Sequence, residues 1–138
     1  MKIIKINEHS KELSVFLDIA GDSLQTFRYF SKRDKSVLRN HLITLLFLVE
    51  DKPVCYGHLD QAEDKVWLGI CVIASERGKG YGDKMMTELL DFADLQGLSH
   101  VSLAVDSNNK TAKKLYEKHG FVQFTNDTKL SYYKRSLS

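Results

Sequence analysis

Val66-Trp67-Leu68-Gly69-Ile70-Cys71-Val72-Ile73 is an almost wholly apolar run, and Arg77-Gly78-Lys79-Gly80-Tyr81-Gly82 follows it closely. The run is short and rich in β-branched and aromatic residues, which predicts a buried strand. After the glycines, apolar residues fall at Met85, Met86, Leu89, Leu90 and Ala93, the spacing of a helix with one buried face. A strand therefore enters a glycine-rich turn and a helix leaves it. The backbone N–H groups of such a turn lie at the positive end of the helix dipole, where an anion is favoured. Glycines let that backbone approach a bulky anion without Cβ clashes.

Two phosphate-binding patterns fail. No Gly-Lys-Ser/Thr occurs, so the P-loop is absent, and Asp83 stands where a dinucleotide fingerprint needs its third glycine. R-x-x-G-x-G does fit, from Arg77 to Gly82. It resembles the acyl-CoA pyrophosphate loop of the GNAT superfamily of N-acetyltransferases. Further on, Asn109-Lys110-Thr111-Ala112-Lys113-Lys114-Leu115-Tyr116-Glu117-Lys118-His119-Gly120-Phe121 resembles the same superfamily's N-x-x-A-x-x-L-Y-x-x-x-G-F. One helix and one strand, Val101 to Val105, lie between the two motifs, as the resemblance requires.

The flanks agree in element order. Lys2 to Ile6 alternates and predicts a first strand. A helix carries Leu13, Phe16, Leu17 and Ala20 and stops at Gly21. A second helical stretch is expected from Asp22 or Ser23 through Leu24, Phe27 and Tyr29. Leu42 to Val49, Val54 to Gln61 and Val66 to Ile73 read as three successive antiparallel strands, because their connections are short. His100 to Val105 reads as a strand parallel to Val66–Ile73. Asn109 is a cap for the helix in which Ala112, Leu115, Tyr116 and His119 share a face. Two strands, Val122 to Phe124 and Lys129 to Lys134, flank a turn at Asn126-Asp127. The expected fold is α+β, a splayed mixed sheet flanked by helices in the GNAT order βααβββαβαββ, within a single domain over 1–138.

Composition narrows the function. The chain is 43% hydrophobic with a net charge of +2, too small to argue for nucleic acid. No run approaches the ~18 to 20 apolar residues of a membrane span, and the first residues lack a signal peptide's apolar core. A cytoplasmic protein is expected, a monomer or homodimer. Cys55 and Cys71 form no C-x-x-C pair, and no histidine has zinc-ligand spacing, so no metal is expected.

The resemblance implies an acetyl-CoA-dependent transfer to a primary amine by direct attack. It assigns Arg77, Gly78, Lys79, Gly80, Tyr81, Gly82 and Asn109 to the cofactor. It makes a backbone N–H of Cys71 or Val72 the donor to the thioester oxygen, an oxyanion contact worth ~10²–10³ in rate. Tyr116 is the implied general acid beside the sulfur. A phenol with an ordinary pKa of about 10 can donate to a thiolate of pKa about 8.5. The strand before the loop has no carboxylate to serve as base. His58, Asp60 and Asp106 are the titratable groups expected near the splay, and a water chain is an alternative. From Arg28 to Arg39, five basic residues stand against one acid, behind Phe27, Tyr29 and Phe30. This stretch is either a solvated basic face or a substrate wall. As a wall, Arg28, Tyr29, Arg33 and Arg39 would hold an anionic acceptor such as a nucleotide-linked amino sugar. A peptide N-terminus or lysine stays open, as does a non-catalytic acyl-CoA-binding sensor.

Overall fold

The computed structural model describes residues 1–25 and 27–136. Its seven strands form one sheet in the order β1-β2-β3-β4-β5-β7-β6. They are β1 (Lys2–Lys5), β2 (His41–Val49), β3 (Lys52–Ala62), β4 (Lys65–Val72), β5 (His100–Asp106), β6 (Val122–Asn126) and β7 (Leu130–Ser136). Three α-helices accompany them: α1 (Lys11–Ala20), α2 (Tyr81–Leu95) and α3 (Lys110–Lys118). Strands β1 to β4 pair antiparallel in sequence, while β4 and β5 are parallel, as the intervening helix requires.

Period-2 alternation sends β2, β3 and β4 residues to two cores. Ile43, Leu45, Phe47, Cys55, Leu59 and Leu68 join Met85, Met86, Leu89, Leu90 and Ala93 of α2 on one face. Leu46, Leu48, Tyr56, Cys71 and Ile73 join Leu13, Phe16 and Ala20 of α1 on the other. The predicted helical stripes of α1 and α2 are therefore the buried ones. Asn109 caps α3, its Oδ1 accepting from the Ala112 N–H at 3.1 Å. Gly120 ends α3 at φ +90°, where a Cβ is unfavourable.

Among the described residues, the second helix is not formed. In its place lie three short 3-10 turns, Gly21–Gln25, Tyr29–Ser31 and Lys35–Asn40. Thr26, inside the expected helix, lies outside the described residues. The aromatic side chains supply the physical reason. Phe27, Tyr29 and Phe30 all turn to one patch, with ring centroids 4.9 to 6.4 Å apart. On an α-helix, positions 27 and 29 would point about 200° apart, so one helix could not aim both rings there. Segment 27–31 is instead an irregular strap over the α1 face of the sheet.

Candidate active site

The sheet opens between β4 and β5. Their one register pair is Trp67 with Ser102, and beyond it the strands part. The Ile73 N–H donates to the Val54 carbonyl at 3.0 Å, which fixes the phase of the β3–β4 ladder. By the alternation of antiparallel bonds, Cys71 and Gly69 then face β3, while Ile70 and Val72 present their N–H groups to the gap. Of the two expected oxyanion donors, Val72 is the one so directed. Cys71 turns its N–H to Tyr56 instead, and its buried side chain sits in the α1-side core, with burial pushing the thiol up to about 12.

The glycine loop closes the open end. Gly78 and Gly80 adopt φ of +80° and +86°, and a Cβ on either would meet nothing within 4 Å. Space stands in front of the backbone at both positions. No side chain caps the first turn of α2, which begins at Tyr81. Its N–H groups therefore face open space at the positive end of a four-turn helix, where an anion is favoured. Arg77 and Lys79 are exposed beside it, and Lys79 Nζ reaches Glu76 at 2.6 Å. Gly82 has a different task. A Cβ there would lie 3.5 Å from Leu115 and 3.7 Å from Val72, so Gly82 brings α3 against the edge of the gap. Asp83 ties the same two helices, accepting from His119 Nε2 at 2.6 Å and Lys118 Nζ at 3.0 Å.

Tyr116, next to Leu115, is half-buried against the α2-side core, with Phe121 and Tyr133 around its ring. Burial pushes its phenol up to about 12. It stays a proton donor across the neutral range.

Across the sheet, under the strap, lies a polar network. Tyr29 donates to Asp60 Oδ2 at 2.8 Å and lies 2.7 Å from His41 Nε2. With the phenol proton on Asp60, His41 must donate to the phenol oxygen, so Nε2 carries its proton. His41 Nδ1 then accepts from Thr44 Oγ1 at 2.7 Å. His58 Nδ1 lies 2.7 Å from the Tyr56 hydroxyl, and its ring packs on Tyr29 (4.3 Å) and His41 (4.5 Å). Burial lowers the pKa of both histidines, His41 to about 4 and His58 well below its ordinary value. Both rings are neutral. Gly69 makes room for His58: a methyl group there would fall 2.6 Å from Nε2. The α-face pairing of His58 with Gly69 was not among the sequence expectations. Its only trace is a glycine inside an otherwise bulky strand.

The three arginines expected to form a wall are engaged separately. Arg28 makes a two-pronged pair with Asp106 at the end of β5, 2.6 and 3.3 Å, bridging from the strap to the far side of the gap. Arg33 stacks over Tyr29 at 4.6 Å and donates to the Tyr29 carbonyl. Arg39 pairs with Glu8, before α1, and so turns away from the Tyr29–Asp60 network. Among the described residues, no group of three or more His, Cys, Asp or Glu is arranged to hold a metal ion.

The chain is similar in sequence and in fold to proteins already known. Over 76 residues the chain is 34% identical to the mycothiol acetyltransferase of Renibacterium salmoninarum, covering 55% of this chain and 22% of that protein. Over 72 residues it is 32% identical to the [ribosomal protein bS18]-alanine N-acetyltransferase of Haemophilus ducreyi, covering 52% of this chain and 48% of that one. The chain thus spans less than half the length of these relatives. In fold it superposes on the PaiA N-acetyltransferase of Thermoplasma acidophilum, a complex with coenzyme A, with TM-score 0.79, 16% identity and 98% of each chain covered. The ribosomal-protein-S18-alanine N-acetyltransferase of Escherichia coli gives TM-score 0.76 at 18% identity, over 99% of this chain and 94% of that one. Residues 8–121, which run from before α1 through the gap to the end of the Tyr116 motif, match the Acetyltransferase (GNAT) family, and the chain belongs to it.

Proposed function

We propose that the protein is an enzyme that transfers the acetyl group of acetyl-CoA to a primary amine by direct attack. The observation that carries this reading is the β4–β5 gap. It runs from unpaired strand N–H groups at Ile70 and Val72 to the uncapped start of α2, with Tyr116 on the helix that borders it. In this reading the pyrophosphate rests on the loop from Arg77 to Gly82. The pantetheine arm extends β4, and the Val72 N–H donates to the thioester oxygen. The amine nitrogen forms the C–N bond as the C–S bond breaks. Tyr116 gives its proton to the departing thiolate and regains one from solvent. The amine's own proton leaves through the acceptor-side network, whose carboxylate is Asp60.

For the acceptor, the pairing of Arg28 with Asp106 and of Arg39 with Glu8 weakens the case for an anionic sugar nucleotide. A peptide N-terminus or a small α-amino compound suits the site better. It presents aromatic rings and one carboxylate under the strap, and one relative is named for a protein alanine. The test is release of free thiol on mixing the protein with acetyl-CoA and a panel of peptides and small amines. Turnover that falls about 10- to 10³-fold in Tyr116→Phe, with cofactor affinity retained, is the expected result. Cofactor binding without turnover across the panel would instead make the chain an acyl-CoA sensor.

A further inference from the structure

His58 is 2% exposed, and Tyr56 is fully buried. Among the described residues, the Tyr56 hydroxyl has one hydrogen-bond partner, His58 Nδ1 at 2.7 Å. A buried O–H that does not donate strands its proton at a cost of ~1–3 kcal/mol. If His58 carried its proton on Nδ1, two donors would face each other unless the phenol turned its O–H into the apolar core beside Phe16. One proton of the pair stays without a protein partner in either arrangement, but Nε2 is not among the fully buried unpartnered atoms, so its N–H keeps an accessible edge that a phenol proton turned into the core would lack. The phenol therefore donates and Nδ1 accepts. A neutral imidazole has one N–H, so it is on Nε2. Burial keeps the ring neutral and the phenol protonated. Nε2 lies over Gly69, on the strand that borders the gap, and no described protein group pairs with it.

We infer that His58 is a hydrogen-bond donor to an oxygen of the acceptor, held in that state by Tyr56 as a positioning residue, and that it is not the base. This deepens the proposed acetyl transfer and rests on it for the identity of the bound molecule. The acceptor then needs an oxygen near its amine, as the carbonyl of an N-terminal residue provides. The charged and titratable groups facing His58 do not reverse the assignment. His41 presents a neutral ring, Tyr29 keeps its proton and donates it to Asp60, and Arg33 adds positive charge that disfavours a second proton on His58.

The tautomer is read without any acceptor. Long-range ¹H–¹⁵N correlation on protein labelled at histidine nitrogens separates Nε2–H from Nδ1–H rings. A His58 ring protonated on Nε2 at neutral pH, turning to a mixture of tautomers in Tyr56→Phe, is expected. An Nδ1–H ring or an imidazolium overturns the inference, and the unsubstituted protein alone decides this if Tyr56→Phe does not fold. Kinetics then test the donor role. His58→Ala should raise the acceptor KM at least 10-fold and leave the acidic limb of the pH–rate profile in place. His58→Gln, which returns an N–H near Nε2, should recover part of that loss. A shifted limb, or a Gln variant as impaired as Ala through kcat, would mean a base. If no amine is acetylated, the proposed reaction falls while the spectrum still decides the tautomer.

Discussion

Replacing Gly69 with alanine tests whether the seat of His58 is as tight as the geometry requires. Gly69 is not among the glycines with positive φ, so alanine suits its backbone and the only objection is space. The new methyl would stand 2.6 Å from His58 Nε2, 2.8 Å from Cε1 and 3.1 Å from a ring carbon of Phe27. Ordinary carbon contacts begin near ~3.5 Å, so the imidazole must retreat by about 1 Å. Behind it stand the Tyr56 hydroxyl at 2.7 Å and the rings of Tyr29 and His41. Overpacking of this kind costs ~1–3 kcal/mol, and a Tyr56 hydroxyl left without its acceptor adds ~1–3 kcal/mol. The smaller entropy of an unfolded alanine returns ~0.4–1 kcal/mol. A net loss of about 1–6 kcal/mol follows. At ~2.1 cal/mol/K of unfolding entropy per residue, a chain of this length loses roughly 3–4 °C in Tm per kcal/mol. Gly57→Ala is the control. Its methyl would meet Met85 at 2.5 Å on the opposite face, where a flexible thioether chain must shift and His58 is untouched. Both variants should melt earlier by calorimetry, but only Gly69→Ala should move the His58 imidazole resonances. A Gly69→Ala protein with unchanged Tm and unchanged His58 signals would refute the seat.

Two further perturbations reach other parts of the molecule. Gly80→Glu puts a carboxylate into the open space before α2, where the pyrophosphate would rest, at a position with φ +86°. CoA affinity should fall at least 100-fold by titration calorimetry, with a backbone cost of about 1–2 kcal/mol that leaves the fold intact. Undiminished affinity in the folded variant would remove the loop from the cofactor site. The buried histidines make the fold acid-sensitive. Burial depresses His41 from 6.5 to about 4 and holds His58 well below its ordinary value, so below 6.5 the unfolded chain binds protons that the folded chain does not. Stability is full above 6.5 and is lost as pH falls toward 4, with a slope of up to ~1.4 kcal/mol per pH unit for each ring. Urea titrations across that window should show the loss. A flat profile would mean that both rings charge freely in the folded state.

Most of the framework was legible because local signals and long-range order agree. The run from Val66, the glycines and the stripe from Met85 to Ala93 each have one plausible structure, and short connections leave β2 to β4 only antiparallel pairing. Asn109, by its side-chain cap, and Gly120, by its positive φ, announce the ends of α3 through local chemistry. The segment from Gly21 to Asn40 was not legible, because its aromatic residues answer to the sheet below rather than to a helical period. The same holds for the arginines. Their spacing suggested one wall, but Arg39 is held by Glu8, earlier in the chain, and Arg28 by Asp106, far later. No local pattern encodes partners so distant.

The sheet divides the proposed work between its two faces, and this explains why the site needs a gap. The glycine loop, Gly82 and Tyr116 belong to the α2 side, whereas His58, Tyr56, Asp60 and the strap belong to the α1 side. An intact ladder would seal one set from the other. Parting β4 from β5 after Trp67 removes that barrier and also leaves Val72 and Ile70 with N–H groups that no strand satisfies. In the proposed reaction the opening would join donor and acceptor, and its unpaired N–H groups would hold the donor. Its cost to the sheet is limited, because Gly82 seats α3 against Val72 and Arg28 spans to Asp106. That pair is partly exposed and contributes at most about 1 kcal/mol.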